Sequence, residues 1–538
     1  MAARHPAHVL GPAAGSVSRR QWAPGRDAHA ERHPGPTGAV SDGRTHRVGV
    51  LGGGVAGLAA ATALAERGVA VTLFEAQQQL GGRVRAWPVQ HPDGPTTMSR
   101  GFHAFFRQYY NLRALLRRAD PDLHRLIPID DYPLVSADGF RDSFARTPRR
   151  PPLNLASFVL HSDTFTLADL RRIDTDAAAE LLDVEFPRSF AAHDGESADA
   201  FLRRLNFPSA ARHLALEVFA RSFFARPEHF SAGELVAMFH TYFLGSSEGL
   251  LFDVPDDDYD TALWAPLGRY LHGRGVEIRT STPVDQVRST GSGVVVDTAD
   301  GSFEFDALVV ATDLATTQRL VTADGALDAD AAWRERVSRL RSAPDFAVWR
   351  LWLERPANAE RDPFLATAGF GCVDNISVLE RFERGATDWA RQHGGSVVEL
   401  HAYALDDEIS DDAVRTEMRS VLDGMYPELA GARIVAEEYV RSADCPLIGT
   451  APWADRPGVN TPDPRVMLAG DGVRCAYPVA LMERAATTGL LAANQLLTGW
   501  GVAGHDVWTV PMQARTWLAR HAGRSARKAQ PSSPARTA

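Results

Sequence analysis

The chain has 538 residues, too many for one hydrophobic core, so two or three domains are expected. Hydrophobic residues make up 45% of the chain and charged residues 23%, with a formal net charge of −10; this is a soluble globular composition, and it argues against nucleic acid as the main partner because phosphate binding needs a basic surface. The three cysteines form no CxxC pair, which excludes a thiolate zinc site and a disulfide framework, and no apolar run is long enough to predict a transmembrane helix.

Both ends of the chain are predicted to be disordered. Residues 1–45 are rich in Pro, Ala, Gly, His and Arg and contain no apolar stretch of the signal-peptide kind. Residues 514–538 form a basic tail that holds Lys528, the only lysine in the sequence. The body between them therefore has no lysine for Schiff-base or general-base chemistry.

The first predicted element of the body is a nucleotide-binding unit. A strand at residues 47–51 enters a G-x-G-x-x-G turn, an alanine-rich helix follows over residues 58–67, and a second strand at residues 70–74 ends in an acid. The turn and the start of the helix would bind a pyrophosphate, and the acid would bind a ribose hydroxyl. The predicted cofactor-binding residues of this unit are Gly52, Gly54, Val55, Ala56, Gly57 and Glu75.

The next turn carries Gly81, Gly82 and Arg83, and it resembles the GG-R loop of the flavin amine oxidase and phytoene desaturase superfamily. This resemblance implies that the cofactor is FAD and that these residues lie along its diphosphate and isoalloxazine. An arginine offers a fixed charge and a planar fork for phosphate.

The stretch SRGFHAFFRQYYNLR at residues 99–113 is unusually aromatic and cationic. It resembles the corresponding segment of plant-type carotene desaturases, which has glycine, histidine, paired phenylalanines, tyrosine and asparagine. An aromatic wall beside a flavin suits a hydrocarbon substrate, because such a substrate offers no polar group to bind. Predicted substrate-lining residues here are Phe105, Phe106, Tyr109 and Tyr110.

Two segments after this stretch suggest contact with a membrane. Leu112, Leu115, Leu116 and Ala119 recur at helical spacing with arginines around them, and residues 146–160 join three arginines to an apolar run. Each segment fits either a basic amphipathic surface that lies on a bilayer or a core-facing helix with solvated arginines.

A capping-box sequence opens a helix that is predicted to run from Ser231 through Leu244. Phe239 and Phe243 share one face of it and are predicted to line the substrate tunnel, with a purely structural core as the alternative.

Later segments resemble the remaining FAD site of the superfamily. Val284 matches the valine whose backbone contacts adenine, and Gly470 and Asp471 match the closing motif at the ribityl chain. A helix beneath the flavin starts at Leu481, and the resemblance implies that Met482 contacts FAD. The sequence departs from the pattern at Arg484, where glycine is usual, and at Thr488, where serine is usual.

The predicted fold class is α/β, a Rossmann-type FAD-binding domain assembled from separated segments, plus an α+β substrate domain with a helical membrane-facing part. The FAD-binding domain takes residues 46–135, 246–315 and 456–513, and the substrate domain takes residues 136–245 and 316–455. No metal is predicted.

Residues 99–118, 131–143 and 466–511 resemble the isorenieratene synthases, carotene desaturases that aromatise β-rings. The resemblance implies FAD-dependent oxidation of a β-ring with a 1,2-methyl shift. It also implies a carotenoid substrate, an unknown electron acceptor and a peripheral position on the inner face of the bacterial membrane. His103 is predicted either to accept a proton or to be structural, and Glu483 either to accept a proton or to stabilise a helix terminus.

Four other functions fit the same residues. They are a different carotenoid or phytoene desaturase, a redox-neutral carotene isomerase, a flavin amine oxidase and a non-catalytic carotenoid-binding flavoprotein. The absence of lysine from the body disfavours the amine oxidase, because that family commonly sets a lysine against the flavin.

Overall fold

A computed structural model describes residues 27, 29–91, 94–129, 131–143, 148, 151, 153–154, 157, 171–206, 223–323, 327 and 330–514. Almost all of the predicted basic tail and most of the apolar run at 146–160 lie outside these residues.

The strands within the described residues are β1 (Glu31–His33), β2 (Arg47–Leu51), β3 (Ala70–Phe74), β4 (Ala86–His91), β5 (Gly94–Ser99), β6 (Phe105–Phe106), β7 (Leu126–Pro128), β8 (Leu134–Ser136), β9 (Arg141–Asp142), β10 (Phe252–Pro255), β11 (Glu277–Arg279), β12 (Val284–Ser289), β13 (Val294–Thr298), β14 (Gly301–Phe305), β15 (Ala307–Val310), β16 (Phe346–Leu353), β17 (Phe364–Ala368), β18 (Asn375–Val378), β19 (Ser396–Ala402), β20 (Ile434–Ser442), β21 (Val466–Leu468) and β22 (Val507–Thr509). The α-helices in the same ranges are α1 (Val55–Ala65), α2 (Tyr110–Leu116), α3 (Thr175–Leu182), α4 (Arg188–Ala191), α5 (Ala198–Arg204), α6 (Ala232–Phe239), α7 (Ala265–Gly273), α8 (Leu314–Thr322), α9 (Ala331–Ser338), α10 (Arg384–His393), α11 (Asp411–Met425) and α12 (Leu481–Gly499).

A five-stranded parallel sheet in the order β11-β3-β2-β15-β21 forms the nucleotide-binding half. Its strands come from distant parts of the chain and are apolar on both faces, as a sheet covered on both sides requires. Helix α1 is buried all round and packs against α12, where the lack of a side chain at Gly489 lets the helix approach the Ala56 carbonyl. This sheet confirms the predicted Rossmann-type α/β fold.

A seven-stranded sheet in the order β20-β16-β19-β18-β17-β8-β9 forms the second half. Leu400 and Val398 of β19 point to a core that they share with Met418 of α11. Because side chains alternate along a strand, residues 399 and 401 point to the opposite face. That face is turned toward the space between the two large sheets.

The N-terminal arm is only partly as predicted. Strand β1 pairs antiparallel with β22, the Arg32 side chain is 2.5 Å from the Asp506 carboxylate, and His33 bonds to the Thr509 hydroxyl at 2.7 Å. The prediction of disorder is therefore wrong for Glu31 to Val40, because the main chain there completes a sheet with a distant segment. Composition alone does not reveal such pairing.

Helix α2 corrects the interfacial interpretation of the leucine repeat. Leu112, Leu115 and Leu116 are buried in the core beside α1 and α12. Arg113 lies 2.7 Å from the Asp253 carboxylate and Arg118 lies 3.1 Å from that of Glu66. The segment therefore faces the core, but Arg113 and Arg118 are paired with carboxylates rather than solvated as that alternative had them. Among the described helices, none combines the length and apolarity needed to cross a bilayer.

Candidate active site

A large cavity of about 790 Å³ extends from the carboxyl ends of the parallel strands to the inner face of the seven-stranded sheet. Most of the predicted cofactor residues border it. They are Gly52, Gly54, Val55, Ala56, Glu75, Gly81, Gly82, Arg83, Val284, Gly470, Asp471 and Met482.

Each of the three glycines of the motif is favoured at its position for a different structural reason. Gly52 has a φ of +98°, and a Cβ there would lie 2.5 Å from the Ala311 carbonyl oxygen. A Cβ on Gly57, which lies beneath the cavity wall, would collide with the Gly52 carbonyl. A Cβ on Gly54 would meet only the Gly82 Cα, at 3.7 Å, so this position keeps the cavity surface open rather than the fold intact. Such a surface at the start of a helix fits a pyrophosphate.

Two charged groups complete the fit to a dinucleotide. The Glu75 carboxylate accepts hydrogen bonds from the N–H groups of Gly53 and Gln77, both at 2.7 Å, and a carboxylate has further lone pairs for a ribose hydroxyl. The Arg83 guanidinium forms an ion pair with Asp471. Burial opposes the charge on Arg83, but Asp471 raises its pKa above the ordinary value. The residues present therefore fit FAD.

The two departures from the family pattern have different consequences. The Thr488 hydroxyl accepts a hydrogen bond of 2.9 Å from the Gly470 N–H, so threonine keeps the contact that a serine would make. Arg484 is buried and pairs with the equally buried Glu234 of α6, which also lies 2.8 Å from Arg456. The arginine thus joins the helix beneath the cofactor site to α6.

Two of the residues predicted to form an aromatic wall lie at the cavity. Phe106 and Tyr109 border the cavity, and the Tyr109 hydroxyl lies 2.7 Å from that of Tyr242. Four other predicted lining residues do not border it, and their assignment is corrected: they are Phe105, Tyr110, Phe239 and Phe243.

Local packing explains these corrections. Phe105 and Tyr110 point into the core, and Tyr110 lies 3.4 Å from the Ser246 hydroxyl. The rings of Phe239 and Phe243 stack on each other at 5.1 Å. Phe243 lies in a turn of π-helix, His240–Leu244, that continues α6. Ser231 does cap this helix, as predicted.

Other aromatic side chains complete the wall and were missed because they are dispersed along the sequence. They are Phe102, Tyr132, Phe223, Phe224, Phe252, Phe346, Phe364 and Tyr403.

His103 borders the cavity in a defined tautomer. Its Nδ1 lies 2.8 Å from the Gly101 carbonyl oxygen, and the Tyr259 hydroxyl donates to the same oxygen at 2.8 Å. A carbonyl only accepts, so Nδ1 carries the hydrogen and Nε2 is left as the basic nitrogen. Burial lowers the pKa of His103 to about 4, so the ring is neutral near pH 7.

Glu483 is not placed to act on a substrate. It does not border the cavity, and it accepts hydrogen bonds from the N–H groups of Asn111 and Leu112 at 2.8 and 2.9 Å. Burial raises its pKa to about 8 even though these donors oppose the shift. The Glu483 carboxylate therefore caps the N-terminus of α2 rather than that of its own helix.

Sequence reasoning also missed a polar group on β19. Glu399 and His401 are buried, and Tyr403 follows them with the same alternation and reaches the cavity. The signal was present as SVVELHAY, a strand in which acidic, basic and phenolic side chains recur at every second residue.

The chain was compared with known proteins. The family described as flavin containing amine oxidoreductase matches residues 55–497. A carotenoid phi-ring synthase of Streptomyces griseus is 54% identical over 92% of this chain and 96% of its own length. A carotenoid phi-ring synthase of Chlorobaculum tepidum is 27% identical over 86% of this chain and 90% of its own.

Solved structures show the same fold at low sequence identity. A putrescine oxidase variant superposes with a TM-score of 0.61 at 18% identity, covering 85% of this chain and 100% of that one. An oxidoreductase of Methanosarcina mazei superposes with a TM-score of 0.60 at 16% identity, covering 83% of this chain and 99% of that one.

Proposed function

The chain belongs to the family of flavin containing amine oxidoreductases and is an FAD-dependent oxidoreductase. We propose the following reaction for it. It oxidises the β-ring of a carotenoid to an aromatic ring with migration of one geminal methyl group, as in the formation of isorenieratene from β-carotene. One observation carries the proposal: the match at 54% identity extends over 96% of a protein named carotenoid phi-ring synthase. The aromatic cavity beside the cofactor residues supports it.

FAD would be held by the glycine turn, Glu75, Arg83 and Asp471, and when bound it supplies the oxidising power as a hydride acceptor. Aromatisation of one β-ring removes two hydrides and two protons, while all carbon atoms stay in the product. The protein's own residues must therefore orient the ring, exclude water, stabilise positive charge on it and accept protons.

The wall residues have the properties that these tasks need. Phe106 and Tyr109 border the cavity with aromatic rings. The face of an aromatic ring attracts a cation, and this attraction would stabilise the substrate carbocation while the methyl group shifts. The unprotonated Nε2 of His103 is the acceptor that we assign to one of the two ring protons. The Gly101 carbonyl holds that tautomer in place.

We further propose that the protein is peripherally associated with the inner face of the bacterial membrane, because a carotene is dissolved in the bilayer. Since the leucine face of α2 is buried, the contact must use another surface. Leu153 is 59% exposed and follows the arginines of residues 146–150, so this region is the one we assign. Flotation with anionic liposomes should be weakened by Leu153→Ser and by high salt; flotation that resists both changes would reject this surface.

Product analysis tests the reaction. Cells that make β-carotene and express this chain should contain a pigment with four fewer hydrogen atoms per converted ring and no change in carbon number. A Gly54→Leu variant is the control, because the leucine fills the open surface at the pyrophosphate without a clash in the fold. It should fold, lack flavin absorbance and leave β-carotene unchanged. A product of unchanged mass would indicate an isomerase, and unchanged pigment would reject the proposed reaction.

A further inference from the structure

A chain of hydrogen bonds runs from the cavity wall into the protein along β19. The His401 Nε2 lies 2.8 Å from the Glu399 carboxylate, and its Nδ1 lies 2.6 Å from the Tyr403 hydroxyl. The Phe102 N–H is also near Nε2, but at a longer 3.3 Å. A carboxylate only accepts, so Nε2 carries the hydrogen and Nδ1 accepts from Tyr403. This is the order of groups in which a carboxylate orients an imidazole base toward a hydroxyl.

Tyr403 borders the cavity between the aromatic ring of Phe224 and the polar side chain of Asn375. Its ring lies 5.0 Å from that of Phe224, and its oxygen accepts a hydrogen bond of 3.0 Å from the Asn375 amide. The Asn375 Oδ1 is buried without a hydrogen-bond partner, in a residue that also borders the cavity. Buried polar groups in proteins nearly always have a hydrogen-bond partner, so an unpaired amide oxygen in a residue at the cavity wall points to a function.

The buried end of the hydrogen-bond chain can stabilise the charge of a transferred proton. Arg350 lies 2.8 Å from Glu399. Burial raises the pKa of Glu399, but Arg350 and His401 outweigh that effect and lower it to about 2. Beyond them is a cavity of about 20 Å³, room for about one water molecule, which Glu383 and Asp257 also border. Burial raises the pKa of Glu383 to about 7, so it can exchange a proton near neutral pH.

Both imidazoles contact the same glycine from different sides. His103 bonds to the Gly101 carbonyl, and a Cβ on Gly101 would lie 2.5 Å from the His401 ring. The φ of +96° at Gly101 is also one that glycine adopts readily. His103 borders the cavity directly, whereas His401 is buried and reaches it only through the Tyr403 hydroxyl. These are two separate routes for protons, and the proposed reaction releases two protons from each ring.

We propose that Tyr403 accepts the second of the two ring protons and passes its own proton to His401, which Glu399 orients. This inference rests on the proposed function. The ring C–H bond breaks, and its electron pair becomes the new ring double bond. The proton goes to the Tyr403 oxygen, whose own proton moves to the His401 Nδ1. The hydride that each oxidation removes comes from a different C–H bond, and FAD when bound would supply the oxidising power for that removal, so the proton transfer itself needs no oxidant. Tyr403 is the catalytic residue, and His401 and Glu399 act through it.

Tyr403→Phe tests the proposal, because it removes the hydroxyl and keeps the ring on Phe224. The purified holoprotein should keep its FAD content, with a modest drop in melting temperature because the Asn375 amide and the His401 Nδ1 lose a partner. It should still bleach its flavin with substrate under anaerobic conditions. Formation of the aromatic product should fall roughly 10²- to 10⁴-fold. Tyr439→Phe is the matched control, since that hydroxyl bonds to Asp411 outside the cavity and its loss should leave the rate unchanged. An aromatic product formed by Tyr403→Phe at the parent rate would overturn the relay.

A double-mutant cycle separates a relay from a structural role. His401→Gln keeps hydrogen-bonding groups but cannot take a proton, so it should lower the rate as Tyr403→Phe does. If the residues form one path, the double variant should be no slower than the slower single variant. Losses that multiply would instead show independent structural effects and reject the relay. If the parent protein itself makes no aromatic product, the proposed function has failed, which is a different result from a variant that equals its parent.

Discussion

Glu483 is the residue whose role changes most between the sequence and the structure. Above about pH 8, where Glu483 is ionised and accepts through both oxygens, Glu483→Gln keeps one oxygen but replaces the other with an amide nitrogen, a donor that faces the N–H of either Asn111 or Leu112. A buried donor left unpaired costs about 1–3 kcal/mol, so we expect the free energy of unfolding to fall by that amount. Urea unfolding of the holoprotein measures the loss, and turnover per bound FAD should stay near the parent value. A variant that is as stable as its parent but loses turnover would restore the role of proton acceptor.

His103 predicts a pH dependence of stability. Burial lowers its pKa to about 4 from 6.5, so between these values the unfolded chain binds more protons than the folded protein. Stability should therefore fall as the pH drops from about 6.5 toward 4, by up to about 1.4 kcal/mol per pH unit from this group.

The measurement is urea unfolding at pH 7 and pH 5 for the parent and for His103→Gln. The parent should lose about 1–2 kcal/mol more than the variant, because glutamine does not titrate. The difference between the two proteins isolates His103 from other titrating groups. Equal losses would show that the imidazole is not held neutral by the fold.

At the level of elements, the Glu234 carboxylate joins α6 to α12. It is 1% exposed, it pairs with Arg484 and Arg456, and these cations lower its pKa against the effect of burial. Glu234→Gln leaves both guanidinium groups buried without a counter-charge, and we expect a loss of about 3–5 kcal/mol in stability. Glu228→Gln changes an exposed carboxylate just before α6 and should cost less than about 0.5 kcal/mol. Comparable effects of the two substitutions would contradict a structural role for the buried triad.

Elements with local signals could be predicted, and elements that depend on distant partners could not. The strand, glycine turn, helix and acid from Arg47 to Glu75 are adjacent in the chain, and each residue's role follows from the turn itself. The leucine repeat of α2 shows only that one face of a helix is buried. A bilayer and a protein core satisfy that pattern equally. What decides for the core is Asp253 and Glu66, which pair with Arg113 and Arg118 from other segments.

At the scale of the whole molecule, the cavity walls are assembled from residues that lie far apart in sequence. His103 and His401 meet at Gly101 because the first follows β5 and the second lies on β19 of another sheet. The sequence shows His103 among phenylalanines, but it does not show that His401 lies beside Gly101, since no local periodicity connects the two segments. The cofactor residues were predictable because resemblance supplied their long-range arrangement.

The N-terminal segment is the other long-range feature, and it connects to the cofactor site through α12. Ala39 exchanges main-chain hydrogen bonds of 2.9 Å with Gly501 and Ala503, just after that helix, and the Gly35 N–H donates to Asp506 at 3.0 Å. A Cβ on Gly38 would clash with the main chain of residues 501–503, so the two segments are closely packed. Helix α12 in turn packs on α1, which carries the glycine turn.

Truncation tests this connection. A chain that begins at Asp27 should keep the stability of the parent, whereas one that begins at Ser41 should lose at least about 2 kcal/mol, because several hydrogen bonds worth about 0.5–1.5 kcal/mol each are removed. A chain that begins at Ala30 is the control, since it keeps β1 but has lost residues 27–29, among them the buried Asp27, whose carboxylate accepts a hydrogen bond of 2.8 Å from the Ser247 N–H. Urea unfolding and retention of FAD on gel filtration measure the two effects. We expect the Ser41 chain to release FAD more readily than the Ala30 chain, because the end of α12 loses its cover. If both chains unfold at the same urea concentration as the parent, the pairing of β1 with β22 contributes nothing to the fold, and the original prediction of a disordered arm would be the better description.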